Sequence, residues 1–194
     1  MFNLSDAKEE STLNEKKYQE VGVHDNIKIS TVTTGESFTK KTPFISIVTE
    51  GPNGETCESG QMYLNTEVKE GSTTSAWAIT ARRLVNLIMS ITGKTEEEAK
   101  KSINASDPDD LAKKLSTLLV GKTFRGLFYG KEIQGKEGKN NWIKAYFAVS
   151  ESNYAAETMK TNPSKLRFDA NNPKHIKKLP IADPSAVVST DSPW

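Results

Sequence analysis

Residues 141–149, NWIKAYFAV, interleave two sets of side chains suited to different work. Successive side chains of an extended chain point to opposite sides, so Ile143, Ala145, Phe147 and Val149 share one face and Trp142, Lys144 and Tyr146 the other. The first face is core. The second puts two large rings and a cation on the side away from it. Upstream, in GKTFRGLFYGKEI, Arg125, Tyr129 and Lys131 share one face while Phe124 and Phe128 share the opposite one. Rings alternating with cations on two adjacent strands can stack flat π-systems and neutralise anions together. Stacking of a nucleic-acid base on an aromatic side chain contributes roughly 1–3 kcal/mol whatever the base. Lysine and arginine displace the counterions of a phosphate backbone. A duplex hides its bases and a free strand exposes them, so the ligand these residues suit is single-stranded nucleic acid.

The charge distribution agrees. The whole chain has 26 basic and 25 acidic residues, a net charge of +1, so nothing global points to a polyanion. Residues 122–147 nevertheless contain six bases (Lys122, Arg125, Lys131, Lys136, Lys139, Lys144) and two acids (Glu132, Glu137). A second group, Phe38, Lys40 and Lys41, sits in the polar loop GESFTKK. The blander reading is that rings in a small barrel pack its core or rim and that loop lysines are only solvated. Helices inserted in the chain could also cover the Trp142 and Tyr146 face.

Enzyme chemistry finds little support. His24 and His175 are far apart in sequence and in no catalytic spacing, and Cys57 has no Cys or His nearby to complete a metal site. Glu96, Glu97 and Glu98 suit a helix N-terminus, where acids favour the dipole. GKEGK lacks the Gly-x4-Gly-Lys-Ser/Thr spacing of a phosphate loop. No catalytic residue, metal or cofactor is expected.

The elements that must carry these residues can be read from period and punctuation. GVHDNIKISTVTT alternates, with Val23, Ile27 and Ile29 on one side; TPFISIVTE is a second strand, GPNGET a turn, and GQMYLNTEV a third strand. The period then becomes helical. Trp77, Ala81, Leu84, Leu87, Ile88 and Ile91 mark an amphipathic helix capped by Ser72, Thr73 or Thr74 and ended by Gly93. Thr95 with Glu98 forms a capping box for a second helix. A third opens at Ser106-Asp107-Pro108-Asp109 and stops at Gly121. Two more strands follow, one interrupted by Gly126 and Gly130, joined by the loop QGKEGKNN. Three strands, a helical insertion and two strands match a mainly β, five-stranded OB barrel with helices between strands three and four. Helices packed on a flat sheet remain the alternative. KLRFD could add an edge strand, and HIKKLP could lie along the barrel.

The predicted organisation is a flexible arm over residues 1–20, the barrel over 21–179, and a disordered polar tail over 180–194. One cysteine, no apolar run of about 20 residues and no apolar leader point to a soluble cytoplasmic protein. The tail carries no Lys or Arg and ends STDSPW. An acidic segment closing on Trp194 suits docking of a ring in a pocket rimmed by cations.

Several blocks carry a resemblance to a known family. VGVHDNIKI, the helical insertion and GKTFRGLFYGKEI together resemble phage-encoded single-stranded DNA-binding proteins over most of residues 21–179. STDSPW resembles the tip of that family, where acids precede a Pro-aromatic pair. The resemblance implies an OB fold and sequence-tolerant binding of single-stranded DNA in replication and recombination, in the host cytoplasm for a phage protein. It implies recruitment of replication or recombination enzymes through the tip, and it is compatible with homo-oligomers. Carried over residue by residue, it assigns Trp142, Tyr146, Arg125 and Lys144 to stacking and phosphates, and Asp191, Pro193 and Trp194 to the tip. The tail departs from the bacterial pattern in being less acidic and in ending on Trp rather than Phe. An OB-like module that binds only proteins, and a single-stranded RNA binder, remain open on the residues themselves.

Overall fold

The computed structural model describes residues 17–134, 141–149 and 166–179. In chain order these form β1 (Gly22–Glu36), β2 (Pro43–Glu50), β3 (Thr56–Glu58), β4 (Met62–Tyr63), α1 (Ala76–Thr92), α2 (Glu96–Ser102), α3 (Pro108–Leu119), β5 (Thr123–Ile133), β6 (Trp142–Phe147) and β7 (Ile176–Lys177). One seven-stranded sheet holds every strand, in the order β3-β2-β1-β5-β6, with β4 on β2 and β7 on β5. All pairings are antiparallel except β5 with β7. The sheet is open. Its edges β3 and β6 approach to within 8 Å between Cα atoms, with no ladder joining them among the described residues.

Where one third strand was expected over residues 60–68, two short strands form, and the first of them lies before that range, beginning in the expected turn. Thr56–Glu58 pairs with Val48–Glu50, and Met62 and Tyr63 pair with Ile45 and Phe44 further along β2. Between them the chain kinks at Gly60, whose φ of 74° is a conformation that favours glycine. The expected strand over residues 60–68 is therefore reduced to the two residues of β4.

β1 also departs from simple alternation. His24 pairs with Gly126 and Ile27 with Phe124, so Asp25 and Asn26 together oppose Arg125. This is a β-bulge, with Asn26 at φ 57°. An extra residue reverses the phase of the pleat. Val23 consequently joins Leu127 and Tyr129 on the outer face, whereas Ile27 and Ile29 enter the core with Phe124. The sequence alternation that put all three on one side is corrected here. A second bulge at Ser30 shifts the phase again and turns Val32 inward.

The helices form where the apolar period places them, although Ser75 rather than an earlier residue caps α1. Gly93 ends α1 by donating its N–H to the Met89 carbonyl. Thr95 and Glu98 make the reciprocal capping box of α2, and Asp107 caps α3 just before Pro108. Leu84, Leu87, Ile88 and Ile91 of α1, with Leu111, Leu115 and Leu119 of α3, pack in one core with Ile27, Ile45, Ile47, Phe124, Phe128 and Phe147 of the sheet. Fully burying each of these side chains contributes about 1.5–3 kcal/mol.

A smaller cluster lies on the other side of β5 and β6. Leu127, Tyr129, Ala148 and Leu166 are buried there, with Val23, Tyr146 and Phe168 packed around them. β7 holds this cover down. The Gly130 N–H donates to the His175 carbonyl at 2.7 Å, and Ile176 and Lys177 run parallel to Gly130 and Lys131. At Gly130 a Cβ would lie 2.5 Å from Ile143 Cγ2 and 3.0 Å from Val21 Cγ1, so the close packing there requires glycine. The segment expected as an edge strand, KLRFD, is not a strand in its described part but supplies Leu166 and Phe168 to the cover.

Candidate nucleic-acid interface

The register of β5 and β6 sorts the residues of interest. Tyr129 opposes Tyr146, Lys131 opposes Lys144, and Ile133 opposes Trp142, all on the face away from the main core. That face has a covered half and an open half.

In the covered half, the rings of Tyr129 and Tyr146 meet edge to face at 6.0 Å, and His175 stacks on Tyr129 at 4.8 Å with the rings 15° apart. Phe168 lies against His175 in turn. Tyr129 is only 7% exposed and is not an open stacking platform in this arrangement. Tyr146 is half-buried, which pushes its hydroxyl pKa up, with Arg83 close enough to oppose the shift.

In the open half, Trp142 is 51% exposed and Lys131 and Lys144 face solvent. Neither lysine has an ion pair among the described residues. The nearby carboxylate of Glu132 is occupied elsewhere, accepting from the Leu179 N–H at 2.8 Å and the Asn141 side chain at 3.2 Å.

The open half borders a groove of about 770 Å³ along the seam between β3 and β6. One bank is β6 from Trp142 to Ala145; the other is formed by Tyr18, Gln19 and β3. Residues 17–20 were expected in the flexible arm, yet they run beside β3. The Thr56 N–H donates to the Lys17 carbonyl at 2.9 Å, and the Gln19 N–H to the Thr56 carbonyl at 3.2 Å. This parallel bridge holds Tyr18, 69% exposed, on the bank facing Trp142. Cys57 lines the same groove, and burial pushes its thiol up to about 12, so it stays neutral and unreactive. Among the described residues Glu58 is the one carboxylate in the groove, and it accepts a hydrogen bond from Ser46 Oγ at 3.0 Å.

Ile143 belongs to this groove too. Its alternation assigned it to the core, but it is 41% exposed, because the seam opens on the N-terminal half of β6 while Phe147 and Val149 remain buried.

Other candidate residues lie elsewhere. Arg125 is engaged by Asp25: its Nη2 donates to Asp25 Oδ2 at 2.6 Å and its Nε to the other carboxylate oxygen. The bulge at Asp25 and Asn26 sets this carboxylate opposite the guanidinium, which holds the Asp25 carboxyl below its ordinary pKa of 3.8. Phe38, Lys40 and Lys41 form the exposed β1–β2 tip, with Phe38 95% exposed. That tip adjoins Pro43, whereas the groove adjoins Val48 and Thr56, so most of the length of β2, about 20 Å, separates them. Lys136 and Lys139, and the tip residues Asp191, Pro193 and Trp194, lie outside the described residues.

Tyr18 carries no sequence signal, because only a non-local bridge to Thr56 brings it to the groove. Arg83 and Lys174, near Tyr146, are likewise invisible as groove residues from their own segments.

His24 packs its ring edge on Phe128 and bonds the Glu20 carbonyl, while His175 Nδ1 accepts the Asp169 N–H at 2.9 Å. Among the described residues, no group of three or more His, Cys, Asp or Glu side chains is placed to hold a metal ion. No helix among them is long and apolar enough to cross a membrane. No family model matches the chain, and no curated protein is significantly similar to it.

Proposed function

We propose that this protein binds single-stranded DNA without strong sequence preference, with Trp142, Lys144 and Lys131 as the centre of the site. The carrying observation is an exposed Trp142 on the bank of an open groove, with Tyr18 across from it and, two residues along the ladder, Lys144 and its partner Lys131, which have no ion pair among the described residues. Two rings on facing banks suit bases that are free to stack on either side. The lysines suit the phosphates between them.

The sheet is proposed to be a variant of the OB barrel, left partly open at the β3–β6 seam. Helices inserted between β4 and β5, after the short strands β3 and β4, and edges curled towards each other support this. The role is one of binding and protection during DNA replication and recombination, as the resemblance to phage-encoded single-stranded DNA-binding proteins implies. No bond is made or broken in it. Recruitment of partner enzymes through Asp191, Pro193 and Trp194 belongs to the same proposal.

Titration with unlabelled oligothymidylate, oligouridylate and duplex, read by intrinsic tryptophan fluorescence, tests the reading. Saturable quenching by thymidylate, weakening steeply with salt and much poorer with duplex, is the expected result. Equal affinity for duplex, or affinity indifferent to salt, overturns it, and preference for uridylate moves the ligand to RNA.

A further inference from the structure

The groove beside Trp142 does not end at Ala145. A second hollow of about 220 Å³ shares Glu58, Lys144 and Ala145 with it, and adds Lys131. A third, of about 160 Å³, shares Ser59 and Tyr146 with the second. The chain positions advance together on both banks. From first hollow to third, one bank moves from Thr56 through Ser59 to Met62, and the other from Trp142 through Lys144 to Val149. The three are therefore stations of one trough that follows the β3–β6 seam.

At its far end the trough brings together Arg83 of α1 and Lys174 of the C-terminal cover, beside Tyr146. The fold makes this meeting: α1 arrives through its packing near β4, and Lys174 arrives because β7 docks on β5. Neither side chain has an ion pair among the described residues. Lys174 is exposed and Arg83 half-exposed. Among the described residues along the trough, the cations are Lys144, Lys131, Arg83 and Lys174, and the carboxylate is Glu58 alone.

We propose that Arg83 and Lys174 form a second phosphate-binding station, and that the single strand runs along the seam from Trp142 to Arg83. This rests on the single-strand reading above. The path runs towards the Pro43 end of β2, since Met62 at the far station pairs with Ile45, and it is defined by Arg83 and Lys174 rather than by Phe38, Lys40 and Lys41 of the β1–β2 tip. The length of β6 sets the scale, about 16 Å between the stations. That is about five nucleotides at the 3.4 Å spacing of stacked bases.

The test is anisotropy of a dye-labelled oligothymidylate of about fifteen nucleotides, long enough to reach both stations, titrated over a range of salt. Each phosphate contact adds about 0.7 to the single-strand salt slope. The double variant Arg83→Ala, Lys174→Ala should lose about 1.4 from that slope and bind several-fold more weakly at low salt. Lys174→Ala alone, at an exposed position, should lose about 0.7. Arg83→Lys should keep the wild-type slope. Lys113→Ala, on the exposed side of α3, is the control and should match wild type. If both alanine variants keep the wild-type slope and affinity while Trp142→Ala weakens binding, the seam path is wrong and the binding function stands. If wild type itself fails to bind thymidylate, the function falls and this station falls with it.

Discussion

Lys131 and Lys144 are direct register partners across the β5–β6 ladder, two like charges facing each other on the open half of the sheet. Like charges directly opposite in an antiparallel pair destabilise it by a few tenths of a kcal/mol. A polyanion laid over the pair removes that cost, which is the relation expected of a phosphate site. Lys144→Gln should therefore raise the melting temperature of the free protein slightly at low salt, and the gain should fade as salt screens the pair. The same variant should bind oligothymidylate more weakly. Thermal melts and titrations on one preparation check both; loss of stability at low salt would mean that Lys144 serves packing instead.

The two faces of β6 predict opposite phenotypes. Trp142→Ala should lose roughly 1–3 kcal/mol of single-strand binding with the melt almost unchanged. Phe147 packs between Phe124 and Phe128, so Phe147→Ala should cost roughly 3–5 kcal/mol of stability. Tyr146→Ala should lower stability as well, since its ring holds the edge of Tyr129 under the C-terminal cover. A Trp142→Ala protein that melts early would make that ring structural.

Asp25 and Arg125 give a pH signature. The hydrogen-bonded guanidinium depresses the Asp25 carboxyl in the folded state. The pair's stabilisation is therefore complete above the ordinary carboxylate pKa and disappears as pH falls through the depressed one. Asp25→Asn should be less stable than wild type at neutral pH, and the gap should close on acidification. Denaturant midpoints measured across that range decide it, a constant gap showing that the bulge matters rather than the charge. Because Arg125 is spent on this pair, Arg125→Ala should change single-strand affinity less than Lys144→Ala does.

Local pattern carried the helices, their Thr95 and Asp107 caps and the two faces of β5 and β6, because each is set by residues a few positions apart. Faces beyond a bulge were not legible. Nothing in DNIKIS announces that Asp25 and Asn26 oppose one residue, yet that extra residue decides that Val23 leaves the core. The third strand was expected over residues 60–68 because Met62 and Tyr63 have strand character, while β3 at Thr56–Glu58 and the kink at Gly60 depend on which part of β2 each piece pairs with. At the proposed site, Trp142 and Lys144 stand out from alternation alone. Tyr18, Arg83 and Lys174 do not, since a parallel bridge, a helix docking and a two-residue strand bring them there from distant segments. The burial of Tyr129 was not legible for the same reason: its cover of Leu166, Phe168 and His175 comes from far along the chain.

A pair of truncations separates the domain from its tail. Ending the chain after Leu179 removes none of the described contacts: β7, the His175 stack on Tyr129 and the Leu179 N–H bond to Glu132 all remain. Its melting temperature should match that of the full chain, and its affinity for oligothymidylate should be unchanged. Ending the chain before Leu166 removes β7 and the residues that bury Tyr129 and Leu127, uncovering the smaller apolar cluster. That protein should melt well below wild type and expose apolar surface to a hydrophobic dye. It should also lose the Lys174 contribution to the salt slope. If STDSPW is the handle for a replication or recombination partner, the shorter cut alone should abolish capture of that partner while the DNA titration stays intact. Calorimetry, dye binding and pull-down on the two truncated proteins distinguish these outcomes. Early melting after the Leu179 cut would show that residues 180–194 belong to the folded domain.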